Sequence, residues 1–588
     1  MRFRRLLREA HRPTLRGTAR HIARRMGPRP RSLAARGLMR LPAGSHGGRQ
    51  AAWLAGIRVA ALATLGHEAD AHQFAIERGA NPGARPRLAM ATWLADHGEP
   101  RDALNIVAEP LPSGERQPLR RNWQLLHART ARTLGRYAEA RAALDQVIDE
   151  GPEDAEAIAE QRRLDQIVER YAVVPAITRT MPPGMKRKPG RVLHLVEASL
   201  GDNQSGYTIR THQVATAQRL AGLEPTVLVV GSKPPDGVLS RRIDDVDYRW
   251  LRGAVGMRRF SRTSWTELAN LVADVVIELE PAVVHAATPP TVGNLGRAVA
   301  RWSGLPLVYE VRGFRDEFWR ISHDEDENVD HARLSRRADS QSMREAAAVV
   351  TLGQQMKAEV VSRGAAAANV SIVPNAVDTA LFRPGPRNQA LAEQYGIGRD
   401  EVVVGYISSF QPYEDFATLV DAIAILRARG RRVRGLLVGD GSTRPDILRQ
   451  VAELDLEGVV AMPGRIPHAD VPRHHRLIDV FVVPRVASRL SQLVTPLKPL
   501  EAMASGRALV VSRLDALTET ITDGQTGMTF DPGSATDLAS VLERLVLDPG
   551  ERHRLGDAAR SWVERERTLA RNGQRYREIY ARLGVPLG

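Results

Sequence analysis

Cysteine is absent from all 588 residues. Disulfides and thiolate metal sites are thereby excluded, and a reducing cytoplasm is the compartment that fits. No apolar run is long enough to span a bilayer, and no signal-peptide core follows the basic start. Acid is nearly missing from residues 1–50, which hold 14 Arg, no Lys, no Asp and the single Glu9. That arm carries 14 − 1 = +13 of the net +15, so the remaining chain carries only about +2. Its one aromatic residue is Phe3. Without aromatic interleaving or a recognised motif, specific nucleic-acid binding is not expected. A solvated arm is the first expectation, and an anionic membrane surface the second, worth about 1 kcal/mol per basic residue. A transit peptide stays open, although Ser is scarce. The sixteen His form no metal constellation, and His474 and His475 are adjacent, so they cannot share a helix face. A lone histidine such as His285 reads as a core or surface residue.

What is present is too long for one core, so three or more domains are expected. Residues 51–175 are rich in Ala, Leu and Arg and carry a weak repeat. LGHEADA has Gly66 and Ala71, DHGEPRDAL has Gly98 and Ala103, and LGRYAEARAAL has Gly135, Tyr137 and Ala140. The three glycines are 32 and 37 residues apart, the period of stacked helix hairpins. The last unit is similar to a tetratricopeptide repeat; a plain helical bundle is the alternative. Either way the segment reads as scaffold or protein-partner surface. A Pro, Gly and Lys-rich linker follows at 176–190.

Apolar β-rich runs then alternate with helical segments at 191–196, 225–231, 282–286, 306–311, 347–352 and 369–373. After PNAVD the alternation restarts at 401–407, 433–438, 458–462, 479–484 and 508–512. Two successive doubly wound α/β domains with parallel sheets follow from this. Ligands in such sheets sit beyond the C-terminal strand ends, and two facing sheets leave a cleft. The strand-end loops are therefore the place for chemistry: SLGDNQSGYTIRTH (Ser205, Gly206, Tyr207, Arg210), RGFRDEFW (Arg312), SSFQPYEDF (Ser409, Tyr413, Glu414), GDGS, and PGRIP (Gly464, Arg465, Ile466). The last loop runs from Arg485 through Thr495, Pro496, Leu497 and Lys498 into a helix opened by Pro499, with Glu501 in its first turn and Gly506 at its end. A helix N-terminus suits a phosphate, and a carboxylate there can accept two hydrogen bonds from a sugar diol.

From Val192 to Leu583 the order of SGYTIRTHQVA, VPNAVD, VGDGS, PGRI, DVFVVP and PLEAMASG resembles the retaining, nucleotide-sugar-dependent glycosyltransferases of the GT-B fold, family 4. YEVRGF and TPLKPLEAMA resemble one branch of that family. The resemblance implies two facing Rossmann-like domains at 191–375 and 376–564, with 565–588 crossing back to the first. It implies sugar transfer with retention of configuration onto a polysaccharide or lipid-linked acceptor, without a metal or other cofactor. Glu501 would hold the donor ribose, and Arg465 and Ile466 would lie along the base. Thr495–Leu497 would approach the diphosphate and sugar, and Gly206 would line the opposite wall. Three departures stand out. Leu493 occupies the position of a second Glu, SSFQPYED lacks the usual Arg and Lys, and Arg312 stands where a His is common. Arg485, Lys498 and Arg312 would then supply the missing cations. A non-catalytic interaction protein with a degenerate transferase body, or a nucleotide-sugar epimerase or hydrolase, would share the same fold.

Overall fold

The structure, a computed structural model, describes residues 84–587 apart from 97, 112–114, 202–203, 233–236 and 252–263. The Arg-rich arm and the first repeat motif, with Gly66 and Ala71, lie outside the described residues. The chain divides into a helical unit, up to Val168 with a small piece at 329–331, and a larger α/β unit.

The helical unit holds helices Ala84–Asp96, Pro100–Val107, Gln117–Thr133, Tyr137–Glu150 and Ala155–Ala172. Gly98 and Gly135, at φ 90° and 79°, make the turns that a side chain would strain. Ala128 and Ala131 of one helix and Ala140 and Ala143 of the next are buried, and residues this small let the two axes approach closely. Trp123 fills the centre and donates its indole N–H to the Val107 carbonyl at 2.8 Å, so its burial leaves no polar atom stranded. Buried Glu160 is neutralised by Arg132 and by Arg163 at 3.0 Å.

The α/β unit contains two sheets. The first comprises β1 (Arg191–Val196), β2 (Glu224–Val229), β3 (Ser240–Ile243), β4 (Val246–Trp250), β5 (Val283–Ala287), β6 (Leu307–Glu310), β7 (Ala348–Thr351) and β8 (Val370–Ile372). Its order is β3-β4-β2-β1-β5-β6-β7-β8. The second comprises β9 (Val402–Ile407), β10 (Val433–Val438), β11 (Val460–Gly464), β12 (Val480–Val483), β13 (Ala508–Ser512) and β14 (Met528–Phe530), in the order β11-β10-β9-β12-β13-β14. All named pairings are parallel except β3 with β4. Runs such as VFVV in β12 and ALVVS in β13 are buried at every position because helices cover both faces. Each such Val or Leu contributes about 1.5–3 kcal/mol by burial.

In both sheets the strand order reverses beside the first strand, which opens a crevice between β1 and β5 in one and between β9 and β12 in the other. The loop after β6 reaches the helix after β1 through Arg312 and Thr211. The helix Leu569–Arg582 returns to the first sheet and packs on the helix Gly206–Leu220. Gly573 makes this possible: a methyl there would meet the Ala217 carbonyl at 2.1 Å. No helix among the described residues is long and apolar enough to cross a membrane.

Candidate active site

The two sheets meet along a seam of polar and apolar contacts. Asn375 Nδ2 donates to the Thr495 carbonyl at 2.9 Å, and the His468 amide donates to Gln204 Oε1 at 3.0 Å. Glu519 accepts from the Gln354 and Gln355 amides at 2.7 and 2.8 Å, capping the helix Gln354–Ser362 from the other domain. Arg489 pairs with Glu317 at 3.0 Å and with Glu359 at 2.6 Å. Leu493 and Val494 pack against the apolar core of the first domain. The position that lacks a carboxylate is thus an interdomain anchor, and a buried Glu there would lie against hydrocarbon.

Glycine at 206 begins its helix at the cleft mouth, where an added methyl would stand 3.8 Å from Leu497 of the facing loop. Ser205 caps that helix in a box with Thr208, so its hydroxyl serves the backbone. Tyr207 lies under the Arg312 guanidinium, 5.1 Å from ring centre to Cζ. Arg312 Nη1 donates to Thr211 Oγ1 at 2.6 Å, while its buried Nη2 has no hydrogen-bond partner. Across the seam the rings of Phe318 and Tyr413 stand 6.3 Å apart.

On the second domain, Lys498 opens the helix Lys498–Ala504, and Glu501 follows in its first turn. With seven residues this helix is too short for its dipole to dominate, so the lysine supplies the charge. Lys498 is half-buried and has neither a hydrogen bond nor an ion pair among the described residues. Glu501 is 9 % exposed, and its carboxylate accepts no hydrogen bond from them. Thr495 Oγ1 is buried and unpartnered. Pro496 and Leu497 are buried, Ile466 packs on the domain core, and Arg465 is exposed after the positive-φ turn at Gly464. Burial pushes the Tyr413 hydroxyl up, and Ser409 beside it offsets part of that rise.

Three of the expected site residues, Arg485, Glu414 and Arg210, are engaged within the protein. Arg485 is not a free cation: its Nη2 and Nε bind Glu414 at 3.0 and 3.4 Å, and Nη1 binds the Val494 carbonyl at 3.1 Å. Glu414 is correspondingly engaged from two sides, since Tyr406 also donates to it. Burial pushes the Glu414 carboxyl up, but Arg485 and then Lys498 more than offset this and hold it below its ordinary range. Arg210 is turned inward. It donates to Glu310 at 2.7 Å, to the Val373 carbonyl at 2.8 Å, and to Pro374 and Asn375 at 3.1 Å, tying the interdomain linker to the first sheet.

Residue Glu310, at the end of β6, centres this inner network and was not among the expected site residues. The signal was a lone charge closing an apolar strand, LVYE. Its carboxylate also accepts from Arg312 Nε at 3.0 Å, His285 Nε2 at 2.9 Å and Tyr576 at 3.1 Å. One chain of donors runs through the core: His194 Nε2 to Gln218, Gln218 to Tyr580, Tyr580 to His285 Nδ1, each at 2.7 Å, and His285 to Glu310. Every acceptor is met with both histidines neutral. Burial pushes His194 down to about 3, and His285 beside it adds to the fall. Burial also pushes His285 down, against the pull of Glu310.

Both histidines gain protons in the unfolded chain near 6.5 but not in the fold. Their contribution to stability is therefore complete above pH 6.5 and lost as pH falls below it, for His194 toward about 3. We expect stability to drop by roughly 1.4 kcal/mol per pH unit for each such group below about 6.5. Melting curves at pH 7.5, 6.5 and 5.5 should show this slope, and His194→Leu should flatten it. An unaltered slope in the variant would remove His194 from the account.

Residues 205–376 match the family model described as glycosyl transferase 4-like domain, and residues 388–562 match glycosyl transferases group 1. The GDP-mannose-dependent alpha-(1-6)-phosphatidylinositol monomannoside mannosyltransferase of Mycolicibacterium smegmatis is 30% identical over 194 residues, 32% of this chain and 50% of that protein. The alpha-D-kanosaminyltransferase of Streptomyces kanamyceticus is 28% identical over 199 residues, 34% and 50% of the two chains. The chain spans about half the length of these curated relatives. Among solved structures, a sucrose-phosphate synthase from Thermosynechococcus elongatus superposes with TM-score 0.56 at 18% identity, covering 67% of this chain and 99% of that one. Anabaena HepE in complex with UDP and glucose gives 0.53 at 19%, covering 66% and 99%. These likenesses show the two-domain GT-B fold.

Proposed function

We propose that this chain, whose GT-B body joins a glycosyl transferase 4-like half to a group 1 half, moves a sugar from a nucleotide-sugar donor to a polysaccharide or lipid-linked acceptor with retention of configuration. The bond between the anomeric carbon and the outer phosphate oxygen breaks, and the acceptor hydroxyl oxygen takes its place on the same face. The hydroxyl proton leaves with the phosphate. Negative charge gathers on the departing diphosphate, so the protein must present cations in a cleft with little water. One observation carries the reading. Lys498 and Glu501 are three positions apart on one short helix, and among the described residues the lysine has no ion pair and the carboxylate no hydrogen bond. A diphosphate and a ribose diol are the complementary pair. Arg312 Nη2, unpartnered on the facing loop, adds a second cation, and the reaction is expected to need no metal.

Two similar proteins are consistent with this class. One is GDP-mannose-dependent and acts on a phosphatidylinositol monomannoside, and the Anabaena protein holds UDP and glucose. We place the enzyme at the cytoplasmic face, with the arm of residues 1–50 toward anionic lipid and the helical unit toward a protein partner.

Charge-assisted hydrogen bonds from a diol to Glu501 are worth roughly 1.5–3 kcal/mol. Glu501→Ala should therefore weaken UDP or GDP binding about 10- to 150-fold. In the unaltered protein the 2′,3′-dideoxy nucleotide should show a similar loss. A folded Glu501→Ala variant with an unchanged Kd would sink the ribose assignment. Hydrolysis of UDP- and GDP-sugars with and without acceptor separates transfer from plain hydrolysis or binding.

A further inference from the structure

We propose that His475 is a positioning residue for Glu501, fixing one carboxylate oxygen so that the other faces the ribose diol; this rests on Glu501 being the ribose ligand. His475 ends the short helix Val471–His475 and is fully buried. Its ring stacks on Phe481 of β12, centroids 5.0 Å apart at 15°, and meets the edge of Phe382 at 5.5 Å. Neither ring nitrogen has a hydrogen-bond partner, and Nε2 stands 3.7 Å from Glu501 Oε2. Its neighbour His474 points elsewhere, to the Tyr395 hydroxyl at 3.0 Å.

An apolar residue would fill this slot at no cost, whereas an imidazole with two unmet polar atoms is expensive to bury. The gap to Glu501 is just beyond a hydrogen bond. A small swing of the carboxylate, which the diol's two hydroxyls would draw into a chelating orientation, closes it. With its proton on Nε2, His475 then donates to Oε2. Glu501 would thus be oriented from below by the histidine and from above by the sugar. The histidine itself touches no substrate.

Binding of UDP and GDP to the full chain, each beside its 2′,3′-dideoxy analogue, tests the idea. His475→Phe keeps the aromatic packing and removes the donor. It should weaken ribonucleotide binding about tenfold, the loss of one bond to an ionised group. It should leave the dideoxy analogue alone, and leave turnover at saturating donor within about twofold. His475→Gln, which restores an N–H, should recover most of the affinity. In a Glu501→Ala background His475→Phe should cost nothing further. Unchanged ribonucleotide binding in His475→Phe, equal loss for both nucleotide types, or full additivity with Glu501→Ala overturns the role while leaving the ribose assignment standing. Unchanged binding in Glu501→Ala overturns both. If His475→Phe does not fold, nitrogen-15 histidine spectra of the unaltered chain decide. A protected Nε2 proton that appears with UDP or GDP but not in Glu501→Ala supports the contact, and its absence overturns it.

Discussion

Lys498→Ala should turn over donor roughly 10²–10³ times more slowly, the usual cost of removing one donor aimed at developing charge. The loss should fall on the diphosphate. Affinity for a nucleoside should hardly change, while affinity for the nucleoside diphosphate should drop clearly. Apart from Arg312 Nη2, the neighbouring cations are answered within the fold. Arg485 is held by Glu414, and Arg210 is held by Glu310 and the linker carbonyls. Arg489 is shared between Glu317 and Glu359. Lys498 has no such partner among the described residues, although it lies close enough to Glu414 to lower that carboxyl. Arg485→Ala should behave differently: it strands a buried carboxylate, so melting temperature should suffer before chemistry does. Near-normal turnover by folded Lys498→Ala, on any donor that the unaltered chain consumes, would show that the charge is met elsewhere.

Much of this arrangement could be read from the chain because the sheets are parallel and covered on both faces. Burial on both sides turns a strand into an unbroken apolar run, so β1, β10 and β13 fall on the expected residues, and most others within one or two. The hairpin β3–β4 was not expected because it is an edge. Its SRRI strand is polar, and its turn uses Asp244 and Asp245 at φ 44° and 66° instead of the stronger Asn-Gly signal. The three-residue β14 is too short for any periodicity. The helix that carries Lys498 and Glu501 in its first turn was legible because Pro499 and Gly506 mark its two ends in sequence. The pairings that consume Arg485 and Arg210 were not, since Glu414 is 71 positions from the first and Glu310 is 100 from the second. Sequence shows a charge; only the fold shows whether another charge already answers it. Leu493 makes the same point in reverse. In the chain it reads as a lost carboxylate, and in the fold it is hydrophobic packing between domains.

Glu310→Ala should cost the first domain about 3–5 kcal/mol, the effect of breaking a buried ion pair by removing one partner. The reason is what would be left behind. Arg210 and Arg312 are both buried, and the same carboxylate oxygen answers both, at 2.7 and 3.0 Å. Arg210 keeps its linker carbonyls, but Arg312 keeps only Thr211 and the Tyr207 carbonyl. His285 and Tyr576 lose an acceptor as well. For a domain of this size the melting temperature should fall by roughly 6–20 °C. Burial pushes the Glu310 carboxyl up, yet Arg312, Arg210 and His285 together hold it well below its ordinary value. Its contribution is therefore present above the unfolded carboxylate range and is lost as pH falls toward the folded value. Glu310→Gln keeps two acceptor sites and should fall between the extremes in stability. It should still lower turnover, because the guanidinium at the cleft would no longer be held in place. If Glu310→Leu melts with the unaltered chain, backbone carbonyls suffice to hold both arginines, and the carboxylate is not what orients Arg312.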